Sequence, residues 1–195
     1  MRKAAVGALM AAGLLGACST HQVPMTYNAG VVAQKPPAAK ADVEVLSVTD
    51  ARKHTGKHLG AIRGGYGNTL KTLEMARPAN DVVRQAFVDG LGARGLLAQG
   101  NGARYGLDIT VDKLDCSLLM RPEAHARFQV SVLDRTTGRP VYTKAYEDNR
   151  SGDATLAAGI FGSVEDLGKM ANDSMQAAVD QALDNGAFLT VVGAR

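Results

Sequence analysis

The stretch AHARFQVSVL, residues 124–133, alternates small or apolar side chains with polar ones, as a half-buried β-strand does. The stretch YGLDITVD, residues 105–112, has the same period of two. Successive side chains of a strand point to opposite faces of a sheet, so each stretch predicts one buried and one solvated face. The polar sequence DRTTGR, residues 134–139, predicts a hairpin connection to a third strand over residues 141–147.

Two amphipathic helices are predicted on either side of these strands. The first opens at Pro78–Asp81, whose polar residues are the expected N-cap, and ends near Gly95. The second opens with the capping-box-like sequence SVED, residues 163–166, and ends near Asn185–Gly186. With a further strand at 43–48, the order is β-α-β-β-β-α. This order predicts an α+β fold, a two-layer sandwich in which a mostly antiparallel four-stranded sheet carries two helices on one face.

The composition indicates a single folded domain. The chain has 195 residues, of which 46% are hydrophobic and 21% charged, close to the average of globular proteins. Its formal charge of +3 falls to +1 when Arg2 and Lys3 are left out (3 − 2). Domains that bind nucleic acid through charge are strongly basic, so no nucleic-acid partner is predicted. No motif indicates a cofactor or a metal site.

The first 17 residues predict a signal peptide. Arg2 and Lys3 form a short positive segment, and residues 4–15, AAVGALMAAGLL, form an apolar run. A signal-peptide core has about 7–15 apolar residues, whereas a transmembrane helix needs about 20. We therefore expect the segment 1–17 to direct export and then to be removed.

The sequence Leu15-Gly16-Ala17-Cys18, at the end of this apolar run, resembles the lipobox of bacterial lipoproteins. The resemblance implies a diacylglyceryl thioether on Cys18, cleavage before this residue and acylation of the new amino group. Several acyl chains on one residue anchor a protein stably in a membrane. The next residue is Ser19 rather than Asp, which in the sorting rule for such lipoproteins implies an outer-membrane, periplasm-facing protein.

The residues after the cysteine predict a tether and then a domain. Residues 18–42 contain several Pro and Ala and no periodic pattern, so they predict a lipidated flexible tether before an α+β periplasmic domain at 43–190. An acylated Cys18 has no thiol, so Cys116 is expected to be unpaired. A buried, inert Cys116 is the favoured interpretation, and a reactive thiol is the alternative.

Residues 52–73, RKHTGKHLGAIRGGYGNTLKTL, predict a long loop rich in glycine and basic residues. The loop lacks the Gly-Lys pair of a phosphate-binding loop, and His54 and His58 lack the glutamate of a zinc-binding HExxH motif. Long loops are often functional, so this one contains a candidate partner-binding site. A disordered loop or one that covers a sheet edge is the favoured interpretation, and partner binding is the alternative. The candidate residues are Arg63, Gly64, Gly65, Tyr66, Gly67 and Asn68.

The order of elements, on a chain with a lipobox, resembles the YajG-like lipoproteins and the N-terminal domain of TolB over about residues 43–190. The resemblance carries no catalytic motif. It implies a non-enzymatic, lipid-anchored accessory or scaffold in outer-membrane or periplasmic assembly, with an envelope protein as partner. The alternative is an auxiliary lipoprotein of an ABC-type lipid-transport system that binds a lipid or small molecule. A periplasmic hydrolase is less supported, because no GxSxG motif is present.

Overall fold

The computed structural model describes residues 19–31, 42–100, 102–153 and 163–193. The segment 1–17 and Cys18, on which the predicted signal peptide and lipid anchor depend, lie outside the described residues. Among the helices of these ranges, none combines the length and the hydropathy of a membrane-spanning segment. The strands and helices are β1 (Ser19–Val23), β2 (Val43–Asp50), β3 (His58–Arg63), β4 (Thr69–Met75), α1 (Ala79–Ala93), β5 (Tyr105–Leu118), β6 (Pro122–Asp134), β7 (Arg139–Ser151), α2 (Val164–Leu183) and α3 (Gly186–Val191).

Seven strands form one mixed sheet in the order β1-β4-β3-β5-β6-β7. Strand β2 pairs with the first half of β5, and β3 pairs with the last residues of β5. The predicted α+β class is confirmed. The predicted four-stranded, mostly antiparallel sheet is wrong, because three of the six pairings between the described strands are parallel. The additional strands β1, β3 and β4 come from the segments predicted to be a tether and a loop.

The predicted hairpin-linked strands are confirmed as β5, β6 and β7, which pair antiparallel along their lengths. The apolar positions of β6 are buried and the positions between them are more exposed, as the period of two predicts. On the buried face, Phe128 of β6 meets Phe87 of α1 edge to face, with ring centroids 6.0 Å apart. Helices α1 and α2 also contact each other, because Gly90 lies against Val179 and Leu183.

The helix ends agree with the sequence in part. The Ser163 hydroxyl accepts hydrogen bonds from the backbone N–H groups of Glu165 and Asp166, so the predicted cap of α2 is confirmed. The predicted polar cap of α1 is wrong, because Pro78 is the N-cap and contributes no side-chain hydrogen bond. Helix α2 ends at Leu183, close to the predicted Asn185–Gly186, and Asn185 caps the short helix α3.

The N-terminal segment is part of the folded domain. Strand β1 pairs parallel with β4, from Ser19 opposite Lys71 to Val23 opposite Met75. Beyond the strand, Met25 and Tyr27 are buried in the core together with Val23. The predicted tether is therefore wrong for this part of 18–42, because burial and strand pairing fix these residues. The predicted domain start at residue 43 is too late.

A buried arginine holds the same segment against the two long helices. The Arg94 guanidinium donates two hydrogen bonds to Asp184, both 2.7 Å, and one of 2.9 Å to the Tyr27 hydroxyl. Its Nη2 atom also donates to Asp180, at 3.0 Å, and the Tyr27 hydroxyl donates a hydrogen bond to Asp180. Burial and the hydrogen bond to Asp180 raise the pKa of Tyr27 to about 12. Because the charge of Arg94 is matched by two carboxylates, this network fixes residues 24–28 to the helix layer.

Candidate partner-binding surface

The predicted long loop at 52–73 is wrong, because most of it forms the antiparallel β3–β4 hairpin. The hairpin tip is a tight turn closed by two backbone hydrogen bonds, from Gly64 N–H to Asn68 and from Gly67 N–H to Gly64, both 2.8 Å. Gly67 has φ +81°, a left-handed conformation that glycine adopts without strain. Gly64, Gly65 and Gly67 therefore lie in this turn, whereas Gly60 lies within β3.

The structure brings the six predicted site residues together at this tip. Arg63 ends β3 and donates to the carbonyl of Gly67, at 3.3 Å. The Tyr66 side chain is 102% exposed, so its ring has no support from the rest of the domain. Tyrosine combines an apolar body with a polar hydroxyl and is enriched at protein interfaces, so Tyr66 remains a candidate contact residue.

A second exposed turn lies beside the tip and was missed by the sequence reasoning. It connects β5 to β6 and carries Leu119 and Met120, of which Met120 is 79% exposed. A groove of about 510 Å³ between the two turns is lined by Arg63, Ser117, Leu119, Met120, Arg121 and Glu123. The available signal was the unbroken apolar run LLM, residues 118–120, which continues beyond the end of an alternating strand.

These turns define one end of the sheet, here called the Ser19 end, which consists of Ser19, residues 63–71 and residues 118–122. Ser19 pairs with Lys71, just after the hairpin tip. Ile62, just before the tip, pairs with Leu118 at the end of β5. Strand pairing alone therefore places the first described residue and both exposed turns at the same end of the molecule.

Not every basic residue of 52–73 belongs to a surface. The Arg52 guanidinium is buried and donates to the carboxylate of Asp50 and to the carbonyls of Gly56, His58 and Leu114. Burial opposes ionisation of Asp50, but hydrogen bonds and charge from Arg52 outweigh it and hold the Asp50 pKa below its usual value. Arg52 therefore organises the β2–β3 connection and is not available to a partner.

The cysteine and histidine side chains considered as candidates for chemistry are buried or contact neighbouring side chains. Burial raises the pKa of the Cys116 thiol to about 12, which keeps it protonated, and the preference for a buried, inert cysteine is supported. The rings of His54 and His58 lie 5.0 Å apart, and burial and this neighbour lower the pKa of His58. His125 Nδ1 lies 2.6 Å from the Asn149 side chain on the face of the sheet away from the helices. The described residues contain no group of three side chains suited to hold a metal ion.

Comparisons with solved structures identify the fold. No family model and no curated protein matches the chain. Protein XCC0632 of Xanthomonas campestris, assigned to the family model DUF330, is similar with a TM-score of 0.60 and 16% identity, over 90% of this chain and 96% of that one. A crystal structure described only as an uncharacterized protein is similar with a TM-score of 0.52 and 13% identity, over 85% and 97%.

A weaker similarity is to lipoprotein GNA1162 of Neisseria meningitidis, with a TM-score of 0.32 and 13% identity, over 74% of this chain and 99% of that one. This score is too low to carry an argument. At identities below one fifth, the two stronger similarities concern the fold alone, since unrelated activities occur on one fold. They support the α+β architecture over 85–90% of the chain.

Proposed function

We propose that the chain is a lipid-anchored, periplasm-facing lipoprotein of the outer membrane that acts as a non-enzymatic accessory or scaffold in envelope assembly. The observation that carries the proposal is the junction between residues 18 and 19. The lipobox-like sequence Leu15–Cys18 directly precedes Ser19, the first described residue, which already lies in strand β1. Cleavage before Cys18 would leave every described element intact, and acyl chains on this residue would hold a folded domain at the membrane.

The side chains support a role through contacts rather than through chemistry. Cys116 is buried with a raised pKa, and the His125 ring is paired with Asn149. In contrast, Tyr66 and Met120 are highly exposed on adjacent turns. A surface with unsupported apolar side chains is typical of proteins that bind another surface. These observations favour an accessory role over hydrolysis.

Lipidation is tested in cells that carry the full chain. With wild-type protein we expect a mature species whose mass includes acyl chains, located in outer-membrane fractions, and a precursor that accumulates under globomycin. Cys18→Ala should abolish processing, whereas the matched control Cys116→Ala should leave it unchanged. Cleavage that persists in Cys18→Ala, or a wild-type mass without acyl chains, would contradict the proposal.

The accessory role is tested by crosslinking in intact cells, followed by purification from the outer-membrane fraction. We expect a reproducible adduct with one envelope protein that is lost when the anchor is removed by Cys18→Ala. Recovery of the protein without any adduct, but with a stoichiometric phospholipid that is not attached to Cys18, would contradict a scaffold. It would favour the lipid-carrying alternative.

A further inference from the structure

The large apolar side chains exposed on the described surface are concentrated at the Ser19 end. Four of the six lie there, namely Tyr66, Leu70, Leu119 and Met120, and the other two are Leu46 and Val141. The first four come from two separate hairpins, so a single turn sequence does not explain the cluster. Apolar side chains that stay exposed at the tips of hairpins are expected where another surface covers them.

Basic side chains accompany this cluster. Arg63 is exposed at the end of β3, and Lys71 lies opposite Ser19 in the sheet. Arg121 lies beside Met120 and forms a salt bridge of 2.7 Å with Glu123. After this pairing, Arg63 and Lys71 leave a net positive charge, which the carboxylate of Asp153, next to Gly152 beside Pro122, reduces but does not cancel. A mixture of tyrosine, aliphatic tips and cations matches the interfacial region of a membrane with anionic headgroups, where rings lie among the headgroups and cations contact phosphate.

The covalent chain selects the membrane as the occupant. Consecutive Cα atoms are about 3.8 Å apart, so a lipid carried by the residue before Ser19 is attached to the domain at this end. Ser19 is itself held in the sheet by its pairing with Lys71 and is not the end of a long tether. A domain attached in this way cannot move far from the bilayer, and the surface beside the attachment point is the one that meets it.

The opposite end of the sheet provides the contrast. There the β6–β7 turn carries the polar sequence DRTTG, residues 134–138, and none of its exposed side chains is apolar. This turn shows that a hairpin of the same sheet can be closed by polar side chains alone. The apolar tips are therefore specific to the end that bears the attachment point.

From these observations we propose that the Ser19 end docks on the phospholipid surface in which Cys18 is anchored, with Tyr66 and Met120 inserted among the headgroups. This inference rests on the proposed lipid anchor and adds an orientation to it. The sheet then stands on the membrane, and the β6–β7 turn points away from the bilayer. The acyl chains hold the protein there, and the two turns fix its orientation.

The test uses the full-length, lipidated protein in vesicles of phosphatidylethanolamine and phosphatidylglycerol. Tyr66→Cys and Met120→Cys are each labelled with an environment-sensitive fluorophore, and Val141→Cys, an exposed apolar position towards the other end, is the matched control. The buried Cys116 thiol is not expected to react. We expect probes at 66 and 120 to be quenched by spin-labelled lipid and protected from aqueous iodide, and the probe at 141 to show the reverse.

Charge is tested with the double variant Arg63→Gln and Lys71→Gln, which should shift the 66 probe from lipid towards water by about fivefold per cation removed in anionic vesicles. Probes at 66 and 120 that are as open to iodide as the probe at 141, on protein that floats with the vesicles, would overturn the docking. Protection that occurs only in native envelopes, and not in lipid vesicles, would also overturn it, because it indicates a protein occupant. A protein mass without acyl chains would contradict the proposed anchor. The docking would then also be wrong, because it depends on that anchor.

Discussion

The β3–β4 turn, residues 64–68, and the β6–β7 turn, residues 134–138, lie at opposite ends of one sheet. Each connects two antiparallel strands through a short chain reversal. Each contains a glycine with positive φ near its end, Gly67 at +81° and Gly138 at +68°. In the second turn Asp134 accepts hydrogen bonds from two backbone N–H groups, whereas the first has a fully exposed Tyr66. The backbone therefore does not require the tyrosine, and side-chain differences between the turns point to what each end contacts.

The two hairpins also differ in how firmly the sheet holds them. Strand β6 of one hairpin pairs with β5 from Pro122 to Asp134, whereas β3 of the other pairs with β5 only over Gly60–Ile62. At Gly60 the strands approach so closely that a Cβ atom would overlap the carbonyl oxygen of Cys116. The position of the β3–β4 hairpin, and of β1 beyond it, therefore depends on the absence of a side chain at residue 60.

The largest expected effect follows from this close approach. We expect Gly60→Ala to lower the free energy of unfolding by about 3 kcal/mol, because β3 must move away from β5. Urea denaturation followed by circular dichroism measures the change. The matched control is Gly65→Ala in the same hairpin, where a Cβ atom has open space and the change should stay within about 0.5 kcal/mol. Equal stabilities for the two variants would show that the strand contact is not tight.

The same contrast explains which parts the sequence predicted. Strands β5 and β6 each bury one face of a long alternating pattern, and this signal was sufficient. Strand β3 has only six residues, and four consecutive ones, Leu59–Ile62, are buried, so it has no alternation to detect. Near the N-terminus the signal was the spacing of Val23, which ends β1, and of Met25 and Tyr27 beyond it, and Pro24 and the short length obscured this signal. A strand that is stabilised mainly by pairing with residues distant in sequence has little signal in its own sequence.

The candidate surface was predicted in part for a related reason. The chemistry of Arg63–Asn68 identified an exposed, glycine-rich segment with a tyrosine, and the structure places these residues at one tip. The contribution of Leu119 and Met120 depends on a parallel pairing between β3 and β5, two strands that are distant in sequence. No local pattern encodes which hairpin becomes the neighbour of another. The proximity of Ser19 to the tip required the same kind of pairing, with β4.

A smaller effect tests whether the two turns are equivalent in backbone. We expect Gly67→Ala and Gly138→Ala each to lower the free energy of unfolding by about 1 kcal/mol, because both residues have left-handed conformations. A methyl group added at either position would have no atom within 4 Å, so backbone strain alone is measured. Urea midpoints compared with Gly65→Ala give the result. A cost in only one turn would indicate that the other relaxes into a different turn type.

The smallest expected effect is a difference between the two turns in how their contribution to stability depends on pH. Hydrogen bonds from the backbone N–H groups of Thr136 and Thr137 hold the pKa of Asp134 below its usual value. A carboxylate whose pKa is lowered by folding adds stability above its unfolded-state pKa of about 3.9, and this contribution is lost as the pH falls through the folded-state value.

The variant Asp134→Asn keeps acceptor geometry but cannot ionise. We therefore expect its urea midpoint to lie below that of the wild-type protein near neutral pH and to approach it in acid. The β3–β4 turn, residues 64–68, has no carboxylate, so Asn68→Ala should change the midpoint by the same amount at both pH values. A constant difference between Asp134→Asn and wild type across this range would show that the Asp134 charge does not stabilise the turn. The two turns would then differ only in their exposed apolar side chains.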